Sequence, residues 1–189
     1  MKFAFASALL AAIASAARTN HAAVLVAGSN GYWNYRHQAD IAHAYHILIA
    51  NGVSPDNIVT MMFDDIATNP SNPFPGQIFN HPDGKDVYSG VKIDYRGADV
   101  TPEKFIAVMT GDIATAGGKV LTTDKNTKLF VNFSDHGAAG LIAFPSSYLY
   151  ADQLQQTINT MEQKEMFGEM VFYLEACESG SMFPKLTKD

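Results

Sequence analysis

The sequence is poor in the features that mark several large classes of protein. It has one cysteine, Cys177, and one tryptophan, Trp33, among 189 residues. Thirteen basic residues stand against nineteen acidic ones, for a net charge of −6, and they form no cluster. A nucleic-acid partner is thereby excluded, since such proteins concentrate Lys and Arg on one surface. Apolar runs long enough to span a bilayer are also lacking. The uncharged apolar run Phe3 to Ile13 falls well short of roughly 20 residues, so no stable membrane insertion is expected. With Met1-Lys2 before it and Ser15-Ala16-Ala17 after it, this run reads as a secretory signal peptide over residues 1–17, cleaved near Ala16 or Ala17. Beyond it there is no repeat and no low-complexity tract. A hydrophobic content of 47% and a charged content of 17% describe a globular chain, and its length suits one domain with a substantial core, over residues 18–189. A lone cysteine in a secretory chain is a reactive thiol, an intermolecular bridge or a buried structural residue.

What is present is an alternation of strand and helix patterns. Ala22–Ala27 (AAVLVA) is a continuous apolar run ending in Gly28-Ser29-Asn30-Gly31, a buried strand leaving into a loop. Apolar residues at Ile41, Ala44, Tyr45, Leu48 and Ile49 have helical spacing over Gln38–Ala50, stopped by Asn51-Gly52. Ile58–Phe63 reads as a second strand, which completes a βαβ unit. A long proline-rich stretch follows, to about Val100; loops of such length in a compact domain are commonly functional. Thr101-Pro102 opens a helix that stops before Gly111, and Leu129–Phe133 is a third strand. Asp152, with Gln155 three residues on, reads as the cap of a further helix ending near Phe167-Gly168. Met170–Leu174 is a fourth strand, running into Glu175-Ala176-Cys177. The alternation implies an α/β sandwich around a largely parallel sheet.

Ligands of open parallel sheets bind beyond the carboxyl ends of the strands. Three polar clusters fall there: Gly28–His37, Ser134–Gly137 and Glu175–Ser179. One contains the only cysteine and another a His-Gly pair. A free thiol has a pKa of about 8.5 and needs a base or a positive field to become a nucleophile near neutral pH. His136 can supply either, and can afterwards protonate a leaving amine. Gly137 admits close backbone approach, so its N–H and that of Cys177 are candidates for holding an oxyanion. His136 precedes Cys177 by about 40 residues, the order of the caspase-type pattern, in which the spacing is roughly 50 and the nucleophile follows alanine.

The same segments carry a resemblance. Gly28-Ser29-Asn30-Gly31-Tyr32-Trp33-Asn34-Tyr35-Arg36-His37-Gln38-Ala39-Asp40, Ser134-Asp135-His136-Gly137 and Glu175-Ala176-Cys177-Glu178-Ser179-Gly180-Ser181-Met182 resemble segments of the legumains, asparaginyl endopeptidases of a caspase-like clan. Met61–Ala67 and Asp86-Val87-Tyr88 are also similar. The resemblance implies a caspase-like three-layer sandwich, a Cys177–His136 dyad and Asn34 as a third residue holding the imidazole. It implies cleavage after asparagine and less well after aspartate, with Arg36, His37 and Glu175 in the side-chain pocket. A carboxamide offers both acceptor and donors, and a pocket with a cation and an anion pairs both ends. Asp135 matches a position linked to peptide ligation. Protein and peptide substrates, cystatin-type protein inhibitors and an acidic vacuolar or lysosomal compartment, or secretion, are likewise implied, and no cofactor is.

His37, His43 and His46 read as helix-surface residues with no metal, and the Gly28–Gly31 segment lacks a phosphate-binding pattern. Asn132-Phe133-Ser134 is a glycosylation sequon, expected to be unmodified on a buried strand. The chain stops at Asp189, where legumains continue. The expectation is a fragment with an unpaired strand edge that folds poorly and lacks activity. A transpeptidase of the GPI-anchor transamidase type, and a truncated paralogue acting as a binding module, are the alternatives.

Overall fold

The computed structural model describes residues 20–184, so the leader expected over residues 1–17 lies outside the described residues. Four parallel strands form the central sheet: β1 (Asn20–Ala27), β2 (Ile58–Met61), β3 (Thr127–Ser134) and β7 (Glu169–Glu175), in the order β2-β1-β3-β7. The remaining strands, β4 (Gly137–Ala138), β5 (Leu141–Phe144) and β6 (Ser147–Tyr150), make a small antiparallel sheet. The helices are α1 (Tyr35–Ala50), α2 (Pro102–Thr110), the single turn α3 (Ile113–Ala116) and α4 (Ala151–Gln163).

Apolar residues on both faces of β1 explain its uninterrupted hydrophobic run. Ala23, Leu25 and Ala27 point to one core, shared with Ile41, Ala42 and Tyr45 of α1. Val24 and Val26 point to the other, shared with Phe105 and Val108 of α2 and with Leu154 and Met161 of α4. One helix covers one face and two cover the opposite face. The architecture is therefore the three-layer α/β sandwich expected, with a parallel central sheet. Burying both faces of a strand is the normal state of parallel sheets, since their crossovers lay helices on each side.

The chain turns outward from β1 to β2, then crosses back to β3 and moves the other way to β7. β1 and β3 therefore flank the point where the winding reverses, and the crevice beyond their carboxyl ends is where open α/β sheets place ligands.

Local signals account for most element boundaries, and the departures have physical causes. Thr101 caps α2 by accepting from the Lys104 N–H at 3.2 Å, and Gly111 ends it in the left-handed region with φ +72°. Helix α1 begins at Tyr35, three residues before the expected Gln38, because a 3-10 turn over Tyr32–Asn34 feeds directly into it. Strand β2 ends at Met61 rather than Phe63: the Met62 N–H donates to the Tyr95 carbonyl at 3.1 Å, drawing the chain off β1. Asp152 does not cap α4. The helix starts at Ala151, the Tyr150 N–H is taken by Gln153 Oε1 at 3.0 Å, and Asp152 sits in the first turn, where its charge suits the helix dipole. The helix is also shorter than its spacing suggested, ending at Gln163.

The proline-rich stretch remains without long elements yet is closely tied. Asn72 Nδ2 donates to the carbonyls of Ile66 and Gln77, and the Asp86 carboxylate accepts from the N–H groups of Ile78, Tyr88 and Ser89. Those three donors hold the Asp86 carboxyl below its ordinary pKa, against the opposing effect of its partial burial.

Candidate active site

Backbone hydrogen bonds stitch three strand ends together. The Gly28 N–H donates to the Ser134 carbonyl at 3.1 Å, and the Asp135 N–H donates to the Glu175 carbonyl at 3.1 Å. Ser134 and Glu175 are register partners. His136 and Cys177 each follow two residues beyond these partners, so the topology places the imidazole and the thiol on neighbouring strand ends. Gly137 shows how closely the segments meet: a Cβ there would lie 2.8 Å from the Cys177 carbonyl oxygen and 3.1 Å from the Ala176 Cβ. Only glycine fits there.

Cys177 is free and exposed, and His136 is exposed. Asn34 Oδ1 lies 2.8 Å from His136 Nε2, while Asn34 Nδ2 donates to the Asn30 carbonyl at 2.9 Å. The second bond fixes the amide, because a carbonyl can only accept. The amide oxygen is then left facing the ring, so Nε2 carries the hydrogen and Nδ1 carries the lone pair. A base is thus oriented by a third group, the arrangement that activates a nucleophile. Asn34 is also the residue before α1, yet its side chain makes no capping bond to that helix.

Arg36 and Glu175 are exposed, at the start of α1 and the end of β7. Between them lies Asp40, half-buried, whose Oδ2 accepts from Ser134 Oγ at 3.4 Å. Burial raises the Asp40 pKa and the negative charge of Glu175 raises it further; Ser134, His37 and Arg36 pull the other way. His37 departs from its reading as a surface residue. It is 4% exposed, with Nδ1 placed 2.7 Å from Ser29 Oγ and 3.3 Å from Asp135 Oδ1. Asp135 is buried as well, and its Oδ1 makes no hydrogen bond. His43 is exposed on the same helix, and His46 turns away to the Val87 carbonyl at 3.0 Å. Asn132, the sequon asparagine, sits mid-strand in β3 between Leu25 of β1 and Tyr173 of β7.

Sequence reasoning missed the residues that hold this arrangement together. Asp65 accepts from the Gly31 N–H at 2.7 Å and from Gln38 Nε2 at 2.8 Å, bracing the loop that carries Asn34. The Ala143 N–H of β5 donates to the His136 carbonyl at 2.9 Å. Ser181 Oγ accepts from the Gly140 N–H at 2.8 Å and donates to the Glu178 carbonyl at 2.6 Å, linking the small sheet to the turn after Cys177. The β4–β5–β6 sheet is therefore a clamp between the base and the nucleophile. Its signal was the alternation in Ser147–Tyr150 beside the Pro145-Ser146 turn. Glu178, next to Cys177, has φ +53°, a strained conformation for a non-glycine residue of the kind found at functional sites.

A free thiol and an oriented imidazole, held at the switch region of a parallel sheet, define a cysteine-hydrolase type of site. Comparison with known proteins gives the family. The family described as Peptidase C13 matches residues 21–189, and the chain belongs to it. It is 54% identical over 164 residues to a hemoglobinase of Schistosoma japonicum, covering 87% of this chain and 38% of the relative. It is 51% identical to the legumain of Rattus norvegicus over 173 residues, 89% of this chain and 40% of the relative. To a vacuolar-processing enzyme of Citrus sinensis it is 51% identical over 168 residues, 87% of this chain and 34% of the relative. The chain thus spans about two fifths of the length of these relatives.

Proposed function

We propose that the protein of which this chain is part is a cysteine endopeptidase that cleaves after asparagine, and less well after aspartate. The observation that carries the reading is the Asn34–His136 bond, set beside the close approach of Gly137 to Cys177. In the first step, the Cys177 S–H proton passes to His136 Nδ1 as the sulfur bonds to the substrate carbonyl carbon. The developing oxyanion is held by the N–H groups of Gly137 and Cys177. Collapse breaks the C–N bond, His136 returns the proton to the leaving amine, and an acyl-enzyme remains. Water, deprotonated by the same imidazole, then attacks the thioester; the acid leaves and the proton goes back to sulfur.

Specificity is assigned to Arg36 and Glu175, which offer an asparagine side chain a donor and an acceptor, with His37 and Asp135 as buried support behind them. Aspartate lacks the donors that Glu175 can pair with, which makes it the poorer substrate. Asp135 is the residue assigned to the balance between hydrolysis and ligation. The names of the relatives, legumain and vacuolar-processing enzyme, favour a lysosomal or vacuolar compartment or secretion. The substrates are proteins and peptides, with cystatin-type inhibitors as further partners. Among the described residues no helix is long and apolar enough to cross a membrane.

The test uses the full-length protein and a peptide library resolved by mass spectrometry. Cuts are expected after asparagine, then aspartate, and are expected to vanish in Cys177→Ala and His136→Ala. Undiminished cleavage in Cys177→Ala, or cuts without regard to asparagine, would overturn the reading. An asparagine-directed electrophile that labels the native thiol distinguishes an enzyme from a binding module.

A further inference from the structure

We propose that His37, Asp135 and His136 form a binding site for a divalent transition metal, zinc by the chemistry of its donors, and that loading it silences the thiol–imidazole pair. One ligating atom from each residue lies within 4.8 Å of the other two. His37 and Asp135 are buried, while His136 is open to solvent and gives an ion its way in. The two imidazole rings stand 5.1 Å apart between centroids, at 81° to one another.

Two imidazoles and a carboxylate are the donor set that zinc takes in open sites. Three further observations favour the site. One ring nitrogen of His136 already has an oxygen partner, Nε2 with Asn34 Oδ1 at 2.8 Å, while His37 Nδ1, 2.7 Å from Ser29 Oγ, stands 3.3 Å from Asp135 Oδ1, close to the spacing of two donors on one zinc. Metal-bound histidines are oriented as His136 is, with one ring N–H given to an oxygen and the other nitrogen left as the ligand. Asp135 Oδ1, in a side chain only 2% exposed, is buried without a hydrogen bond. Its close polar neighbour is His37 Nδ1 at 3.3 Å, so its lost hydration is poorly compensated, and a cation supplies what is missing. Zinc sits about 2.0–2.2 Å from nitrogen and oxygen ligands, so tetrahedral donors are ~3.4 Å apart. The cluster must then close by up to ~1.4 Å on binding.

With its lone pair on a metal, His136 cannot accept the Cys177 proton. Binding itself does not depend on the peptidase reading; only the silencing rests on it, and the two are measured separately. Zinc is titrated against a chromophoric chelator using full-length Cys177→Ser protein, which has no thiolate to capture the ion. One ion per chain is expected. Asp135→Asn is expected to weaken it at least tenfold, in line with the loss on removing groups that support a metal, whereas His43→Ala on the exposed side of the helix leaves it unchanged. In the wild-type enzyme, zinc is expected to abolish peptide cleavage and a chelator to restore it. No binding in Cys177→Ser, or equal binding by Asp135→Asn and His43→Ala, overturns the site. Binding without loss of cleavage overturns the silencing while leaving the peptidase reading intact. Should Asp135→Asn not fold, imidazole NMR signals of the Cys177→Ser protein decide: zinc shifts those of His37 and His136 but not His43, or the site is wrong.

Discussion

Strands β1 and β7 deliver opposite halves of the candidate site from very different settings. β1 is flanked by β2 and β3, and its residues from Ala22 to Ala27 are buried throughout. Among the described residues β7 is bonded to β3 alone, and its residues alternate between exposed and half-buried, with Val171 at 52% and Tyr173 at 62% exposure. The loop after β1 carries Asn34, which holds the His136 ring, while Cys177, the proposed nucleophile, follows the end of β7. The base is therefore fixed by a closed core and a set of braces. Among the described residues, Cys177 follows a strand bonded to β3 and is steadied by Ser181 and the β4–β5–β6 clamp.

Breaking the comparison on its chemical side gives the largest effect. Cys177→Ala is expected to lower kcat by roughly 10⁴–10⁶-fold, as loss of a nucleophile does, with a change in stability within ~0.5 kcal/mol because the side chain is exposed. Turnover and thermal melting of the same preparation check both. On the structural side, Leu25→Ala in β1 is expected to destabilise by about 2–5 kcal/mol, the range for a buried leucine. Val171→Ala in β7 of the 189-residue chain is expected to change stability by less than ~1 kcal/mol. Comparable losses in urea denaturation would erase the contrast. Between them in size, Asn34→Ala is expected to reduce kcat by about 10–100-fold with KM little changed, since a general base is worth about 10²–10⁴ and here loses only its orientation.

The subtlest expectation concerns Asp40. Its folded-state pKa is raised above the ordinary value of 3.8, chiefly by burial. Folding therefore favours the protonated carboxyl, and the associated stability is complete below pH 3.8 and lost as pH rises through the folded value. Asp40→Asn keeps an acceptor for Ser134 and removes that loss. Its melting temperature is expected to match the wild type at the acid end and to exceed it increasingly above pH 3.8. A gap that opens toward acid instead refutes the assignment.

The contrast also explains what could be read in the sequence. The buried strands were legible because residues such as Val24, Leu25 and Val26 are apolar on both faces, and no other element reads that way at such length. Chemistry was legible where it sat at strand ends, at His136 and Cys177. The start of α1 was obscured because Arg36 and His37, in its first turn, break the apolar rhythm. His37 was misplaced for a related reason: helical spacing assigns a face but cannot show that the end of another strand, with Asp135, lies over it. The braces were the least legible. Asp65, Asn72, Asp86 and Ser181 act mainly through side-chain bonds to backbone groups, several of them distant in sequence, which no local pattern announces.

One detail of α1 bears on how such a protein can change. Asn34 stands where a helix is ordinarily capped, and a capping bond there is worth about 1 kcal/mol. Its amide instead faces His136 and the Asn30 carbonyl. A serine or aspartate at the same place could cap the helix and raise its melting temperature while leaving the imidazole without its guide. Variants selected for heat resistance alone would drift away from asparagine at this position, and only a screen that counts turnovers would keep it.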